Sequence, residues 1–180
     1  MRMLTGVILA ALLSQPACGG SKEGAKPMAL ELTSPAFMEG GAIPEMHTCD
    51  GADVSPALAW SGAPDRTKSF ALICDDPDSP TGTWVHWVLY HIPATSDSLP
   101  EGVPKERTVP GIGEQGKNDF KRVGYGGPCP PRGKPHRYFF KLYALDFEPA
   151  LEPGIEKKDL EKALKGHILA EGQLMGRYRR

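Results

Sequence analysis

Long hydrophobic runs are missing from this sequence. The longest apolar stretch, residues 4–13, is about ten residues, roughly half of what a membrane-spanning helix needs. It follows Arg2 and precedes the small residues of "SQPACGG", which is the organisation of a secretory signal peptide. We interpret residues 1–17 as a signal peptide; the alternative is a buried N-terminal helix.

The segment "QPAC" resembles the bacterial lipobox, in which cleavage leaves an acylated cysteine, although Gln15 replaces the usual aliphatic residue. We therefore expect Cys18 to carry a lipid and residues 18–27 to form a flexible tether to a domain at 28–180. Cleavage nearby by ordinary signal peptidase is the alternative. Either way the protein is expected to be exported, as a membrane-anchored lipoprotein facing the periplasm or as a periplasmic or secreted protein.

A charge excess is also missing. The formal net charge is −1 and no run of basic residues occurs, so nothing indicates a nucleic-acid partner. The 40% hydrophobic content is that of a globular domain rather than a disordered chain. With 21 Gly and 18 Pro, the composition favours a turn-rich fold of short strands over a helical bundle.

Cysteines are few, at four. Export implies an oxidising compartment, and if Cys18 is acylated the remaining three can form at most one intramolecular pair. Cys74, in the strand-like "FALIC", is expected to be a buried hydrophobe, whereas Cys49 and Cys129 lie in Gly/Pro-rich loops and are the candidate disulfide. That bond would close a loop of about 80 residues and stabilise the fold by about 4 kcal/mol. The alternative is two free loop thiols.

No internal repeat is present. The strongest strand patterns are "SFALICDD", "WVHWVLYHIP" and "RYFFKLYALDF", which are rich in β-branched and aromatic residues. The C-terminal "EKKDLEKALKGHILAEGQLMGRY" has helical spacing, and Gly166 is expected to divide it into two short helices. Strands followed by helices predict a mainly-β sandwich with short peripheral C-terminal helices.

Strand alternation places three polar groups on apolar faces near strand ends. Asp76 continues the face of Phe70, Leu72 and Cys74. His136 shares a face with Tyr138, Phe140, Leu142 and Ala144, and His86 shares one with Trp84, Val88, Tyr90 and Ile92. If these elements meet at one end of the sandwich, they form a small polar pocket stiffened by prolines, where the backbone N–H groups of Gly126 and Gly127 can approach a ligand.

The segments "DDPDSPTGTWVHWVLYHIP" and "GYGGPCPPRGKPHRYFFKLYALD" closely resemble the phosphatidylethanolamine-binding protein family, in its bacterial, Raf-kinase-inhibitor-like branch. The resemblance implies a Greek-key sandwich of two antiparallel sheets with an anion pocket at one end. It also implies the pocket residues, which we carry over as Asp76, Asp78, His86, Gly127, Pro128, Pro130, His136 and Tyr138. Ser79 stands where alanine is common in the family.

Three functional classes remain open. The family implies a non-enzymatic binding or inhibitor-like protein whose partner is a phosphate-bearing ligand, a lipid head group or a periplasmic protease, with no cofactor and with membrane contact only through the lipid. A hydrolase using Asp76, His86 and His136 is the second, although no nucleophile motif is visible. A metal site using Asp75, Asp76, Asp78 and His86 is the third. For the first class we expect binding to strengthen as the pH falls through the ordinary histidine range of about 6.5.

Overall fold

A computed structural model describes residues 27–180. The predicted signal peptide, the acylation site Cys18 and all of the predicted tether except Pro27 lie outside these residues. No helix in the described part has the length and apolar character needed to cross a membrane.

The described chain forms ten strands and two short helices. The strands are β1 (Met28–Ala29), β2 (Glu31–Thr33), β3 (Leu58–Ser61), β4 (Ser69–Asp76), β5 (Trp84–Pro93), β6 (Ser98–Leu99), β7 (Thr108–Val109), β8 (Gly113–Gln115), β9 (His136–Leu145) and β10 (Ile168–Tyr178). A 3₁₀ helix covers Glu45–His47, and the single α-helix, α1, covers Lys157–Leu164.

The strands form two sheets. The larger has the order β1-β10-β9-β4-β5-β8-β7, and the smaller has the order β2-β3-β6. All pairs are antiparallel except β1 with β10. Strand β9 returns from a distant part of the chain to lie beside β4, the type of long connection that a Greek key requires.

The larger sheet is covered on both faces, which explains why every residue of β4 is buried. On one face, Phe70, Leu72 and Cys74 join the main core together with Leu58 and Trp60 of the smaller sheet. On the other face, the alternate residues of β4 pack in a second cluster that includes Leu160 and Leu164 of α1. The predicted mainly-β sandwich is confirmed.

The prediction of a second C-terminal helix is wrong. After the positive-φ residue Gly166, the chain enters β10, the longest strand, which pairs with β9 along nearly its whole length. Gly172 and Gly176 of β10 allow Leu30 and Ile43 to approach so closely that an added Cβ would lie within 3 Å of them. The apolar spacing fits a helix, but this non-local packing determines a strand.

A β-bulge in β5 also changes one prediction. Cys74 pairs with Trp87 and Asp75 pairs with Val85, so His86 is an extra residue on its strand. His86 consequently lies with Trp84 at the end of the sheet, while Val88 and Tyr90 pack on the opposite face in the cluster that contains α1. The predicted common face of His86, Val88 and Tyr90 is therefore wrong; the faces predicted for Asp76 and His136 agree with the main core.

Candidate ligand-binding pocket

A cavity of about 210 Å³ opens where β4 ends and β5 and β9 begin. It collects residues from four separate segments of the chain. Its lining consists of Asp76, Ser79, Pro80, Thr81, Trp84, His86, Phe120, Cys129, Pro130, Pro131 and His136. Asp76, His86, Pro130 and His136, four of the residues predicted from the sequence, are thus brought together.

An aspartate–histidine pair forms one side of the cavity. The Nδ1 atom of His136 lies 2.8 Å from Oδ2 of Asp76, whose side chain is only 5% exposed. The other carboxylate oxygen accepts a hydrogen bond from the backbone N–H of Asp78 at 2.7 Å. Because Asp76 can only accept when ionised, Nδ1 of His136 carries the proton and Nε2 is the nitrogen that remains for a ligand.

His86 forms a second imidazole site. Its Nδ1 donates to the carbonyl oxygen of Gly126 at 2.6 Å, which fixes the tautomer and leaves Nε2 uncommitted. Burial lowers the pKa of His86, more strongly than the hydrogen bond to Gly126 and the charge of Asp76 raise it. The ring is therefore expected to be neutral near neutral pH, with Nε2 as a hydrogen-bond acceptor.

Aromatic rings complete the cavity. The centroids of Trp84 and His86 each lie 5.4 Å from that of Phe120, and His86 meets Tyr138 edge-on at 5.1 Å. Within residues 27–180, the indole N–H of Trp84 and the hydroxyl of Tyr138 are buried without a hydrogen-bond partner. Burial, followed by the charge of Asp76, raises the pKa of Tyr138, so its hydroxyl stays protonated. Tyr138, predicted as a pocket residue, is fully buried behind His86 and is not among the lining residues.

Two of these aromatic residues were not among the sequence-predicted site residues. Trp84 could have been found, because it lies two residues before His86 at the same strand end. Phe120 gave no such signal, since it lies in a segment without strand or helix periodicity. Only the folded chain places it against Trp84.

Asp78 points away from the cavity. Its carboxylate forms a bidentate ion pair with the guanidinium of Arg137, at 2.9 and 2.7 Å, and accepts the backbone N–H of the same residue. These bonds to Arg137 lower the pKa of Asp78 to about 2. Asp78 therefore helps to join the loop after β4 to the start of β9, and it is not among the lining residues.

The expected backbone donors of the glycine-rich loop are already used. The N–H of Gly126 donates to the carbonyl of His86 at 2.9 Å, and that of Gly127 donates to Oδ1 of Asp53 at 2.6 Å. An added Cβ at Gly127 would lie within 3 Å of the backbone of His47 and Thr48. These glycines thus permit close packing behind the cavity, and Gly127 and Pro128 do not line it.

The predicted disulfide joins this loop to the segment after the 3₁₀ helix. Cys49 and Cys129 are bonded, with their Cα atoms 5.4 Å apart, and Cys129 lines the cavity. Cys74 is a free, buried thiol, as the sequence predicts. Within residues 27–180, no group of three or more His, Cys, Asp or Glu side chains is arranged to hold a metal ion.

The sequence model of the family described as "Phosphatidylethanolamine-binding protein" matches residues 33–179. The chain belongs to this family. A UPF0098 protein of Methanothermobacter thermautotrophicus is 51% identical over 84% of this chain and 99% of its own length. A UPF0098 protein of Aquifex aeolicus is 52% identical over 84% of this chain and 89% of its own length. Members this similar therefore occur in both archaea and bacteria.

Solved structures of the family have the same fold. Escherichia coli YbcL, described as a new member of the mammalian PEBP family, gives a TM-score of 0.78 at 35% identity. A family homologue from Chlamydia trachomatis gives 0.77 at 40% identity. Each comparison covers 84% of this chain and 98% of the other.

Proposed function

We propose that the protein is a non-enzymatic binding protein whose cavity takes a small, singly charged phosphate-like head group. The observation that carries this proposal is the pair of uncommitted imidazole nitrogens, Nε2 of His86 and Nε2 of His136, at one cavity. The other ring nitrogen of each histidine is already hydrogen-bonded, so both rings are oriented before a ligand arrives.

The charge of the site selects the protonation state of the ligand. A dianionic phosphate would be repelled by Asp76, and neutral His86 offers it no donor. A phosphate monoanion keeps one O–H, which can donate to Nε2 of His86. A protonated His136 held by Asp76 can donate to another oxygen.

The remaining lining suits a small ligand with some apolar surface. The indole N–H of Trp84, a lining residue, is a donor with no partner in the described part of the chain. The rings of Trp84 and Phe120 and the prolines at 130 and 131 supply apolar contact. A cavity of about 210 Å³ holds a head group and is too small for acyl chains.

Calorimetry with phosphoethanolamine between pH 5 and 8 tests the proposal. Affinity should rise as the pH falls through about 6, because the ligand monoanion becomes more abundant. His136→Gln and Asp76→Asn should each weaken binding by about tenfold to a hundredfold, the loss expected for a charge-assisted hydrogen bond.

Asp78→Asn is the matched control, because Asp78 follows Asp76 by two residues in the chain but binds Arg137 outside the cavity. It should bind phosphoethanolamine like the parent protein. Affinity that stays flat from pH 5 to 8, or equal losses for Asp76→Asn and Asp78→Asn, would contradict the proposal.

A hydrolase remains the alternative. The lining offers two hydroxyls as nucleophiles, and these, Oγ of Ser79 and Oγ1 of Thr81, lie 3.1 Å from each other rather than against a histidine. We therefore expect no turnover in a screen of phosphoesters and peptides. Turnover that disappears in His86→Ala would replace the binding proposal with an enzymatic one.

We also propose that the protein is exported and acylated at Cys18, from the residues "QPAC" that end its apolar leader. The head group would then be met outside the cytoplasm, as part of a lipid or free, and a periplasmic serine protease is the protein partner to test. Metabolic labelling with palmitate should mark the parent protein and not Cys18→Ala. Acylation at Cys18 is contradicted if the parent protein and Cys18→Ala are labelled to the same extent, or if neither is labelled.

A further inference from the structure

The disulfide is part of the cavity wall as well as a cross-link in the fold. Cys129 lines the cavity together with Pro130 and Pro131, which follow it directly. Its partner Cys49 belongs to a different segment, two residues after the 3₁₀ helix. The bond therefore connects one wall of the cavity to a part of the molecule that does not line it.

Few backbone hydrogen bonds hold this wall in place. Residues 128–135 lie outside strands and helices, and the prolines at 128, 130 and 131 have no N–H to donate. The carbonyl of Pro128 accepts the N–H of Cys49 at 3.1 Å, and the next backbone bond runs from Gly133 to Arg180 at 3.3 Å. Between them, within the described residues, 129–132 make no backbone–backbone hydrogen bond, so the disulfide and the packing of buried Pro130 hold the chain at this point.

The disulfide joins two residues at the protein surface. Both Cys49 and Cys129 are solvent-exposed, in contrast to the buried thiol of Cys74. The guanidinium of Arg180 lies 3.8 Å from Sγ of Cys129, while Cys49 is followed by Asp50, which pairs with the same guanidinium at 3.0 Å. A positive charge at Cys129 stabilises a thiolate there, which makes it the better leaving group.

We propose that the Cys49–Cys129 disulfide is a redox switch, which we call the latch: it holds the cavity wall in place until a dithiol reductant breaks it. A thiolate of the reductant attacks Sγ of Cys49, the Cys49–Cys129 bond breaks and Cys129 leaves as a thiolate beside Arg180. The second thiolate of the reductant then attacks the reductant sulfur that is bonded to Cys49, and Cys49 is released as a thiolate. The reductant is oxidised to a disulfide, two electrons pass to the protein, and the two protons of the dithiol end on the two cysteines.

Opening the latch is a local event, because the core does not depend on the wall. Tyr138 and Phe140 of β9 belong to the main core, whose members come from both sheets and not from residues 129–135. Reduction should free Pro130 and Pro131 to move away from His86 and His136, which lowers affinity for the head group. This consequence rests on the proposed function; the mobility of the wall does not.

Trypsin measures that mobility without any ligand. Arg132 lies in the wall before Gly133, and Lys165 is an exposed residue before Gly166, far along the chain, so the two peptide bonds form a matched pair. After treatment with dithiothreitol, cleavage after Arg132 should accelerate about tenfold while cleavage after Lys165 stays constant, as local opening requires. Far-UV circular dichroism should be unchanged and Cys74 should remain unreactive to thiol reagents.

Calorimetry with phosphoethanolamine on the same samples gives the functional readout. Affinity should fall about tenfold on reduction and return on reoxidation, and the double variant Cys49→Ser/Cys129→Ser should match the reduced protein. Arg180→Gln should slow reduction several-fold without changing the oxidised affinity, because it removes the charge that stabilises the leaving thiolate.

Equal cleavage after Arg132 in both redox states would overturn the latch, and so would accelerated cleavage after Lys165, which would show global unfolding. Equal affinity in both states would overturn its control of the cavity. If the oxidised protein does not bind phosphoethanolamine at all, the proposed function fails, and the trypsin comparison still decides whether the disulfide holds the wall.

Discussion

Asp75 and Asp76 are neighbours in the chain and both are buried, at 1% and 3% exposure, yet they lie on opposite faces of the larger sheet. Asp75 accepts hydrogen bonds from two ammonium groups, those of Lys141 on β9 and Lys157 on α1, at 2.6 to 3.0 Å. Asp76 pairs with the imidazole of His136 and lines the cavity.

The difference shows how one residue type serves two purposes. The carboxylate of Asp75 is paired with two fixed positive charges, so it joins α1 to the sheet, and it does not line the cavity. The carboxylate of Asp76 is paired with a group that can gain or lose a proton, beside an open space. We therefore expect Asp75 to determine stability and Asp76 to determine binding.

The largest expected effect on stability is that of Asp75→Asn. The change leaves two partly buried ammonium groups facing an amide, and removing one partner of such a buried cluster costs about 3 to 5 kcal/mol. Asp76→Asn should cost about 1 kcal/mol, because the amide oxygen can still accept a hydrogen bond. Urea unfolding measures both; equal losses would show that the two carboxylates are not divided in this way.

A smaller loss is expected from Lys157→Met, which removes one of the two ammonium groups on Asp75 and leaves Lys141. Its methylenes can still pack, so we expect a loss of about 1 to 2 kcal/mol in the free energy of unfolding. Lys158→Met is the matched control, since Lys158 is exposed and, among residues 27–180, pairs with the exposed Glu156 alone. If Lys158→Met lost as much free energy of unfolding as Lys157→Met, the contact with Asp75 would not be what holds α1 on the sheet.

The sequence predicts the faces of these aspartates but not all of their partners. Strand alternation is a local property, so "SFALICDD" is sufficient to place Asp76 with the core face of β4. That Lys157 reaches Asp75 follows from the docking of α1, which is non-local. The strand ends at Trp84 and His136 are predicted to within a residue for the same local reason.

What could not be predicted shares one cause. The bulge that turns His86 toward the cavity, the strand at 168–178 and the contact of Phe120 with Trp84 all depend on a partner distant in sequence. The resemblance to the family supplied four of the lining residues, whereas Asp78, one of its two aspartates, is occupied by Arg137. Residue identity therefore located the site, and the fold was needed to say which side chains face it.

Buried His86 should make the free energy of unfolding depend on pH. Because burial lowers the pKa of His86, the unfolded chain takes up a proton near pH 6.5 that the folded chain does not. Stability should therefore be greatest above that pH and fall as the pH decreases, by at most about 1.4 kcal/mol per pH unit from this residue. Urea unfolding at a series of pH values should show a shallower slope between pH 7 and 5 for His86→Gln than for the parent; parallel curves would contradict it.

The smallest expected effect concerns Asp78, the third carboxylate of the "DDPDSP" segment. Its partner Arg137 is exposed, and exposed pairs contribute little, so Arg137→Gln should leave the unfolding midpoint at neutral pH nearly unchanged. Because Arg137 lowers the pKa of Asp78 to about 2, whatever the pair contributes is present above about pH 4 and is lost as the pH falls toward 2. Parent and variant should therefore converge at pH 2. A large loss at pH 7 would mean that this exposed pair, like buried Asp75, supports the fold, and that burial alone does not distinguish structural carboxylates from the others.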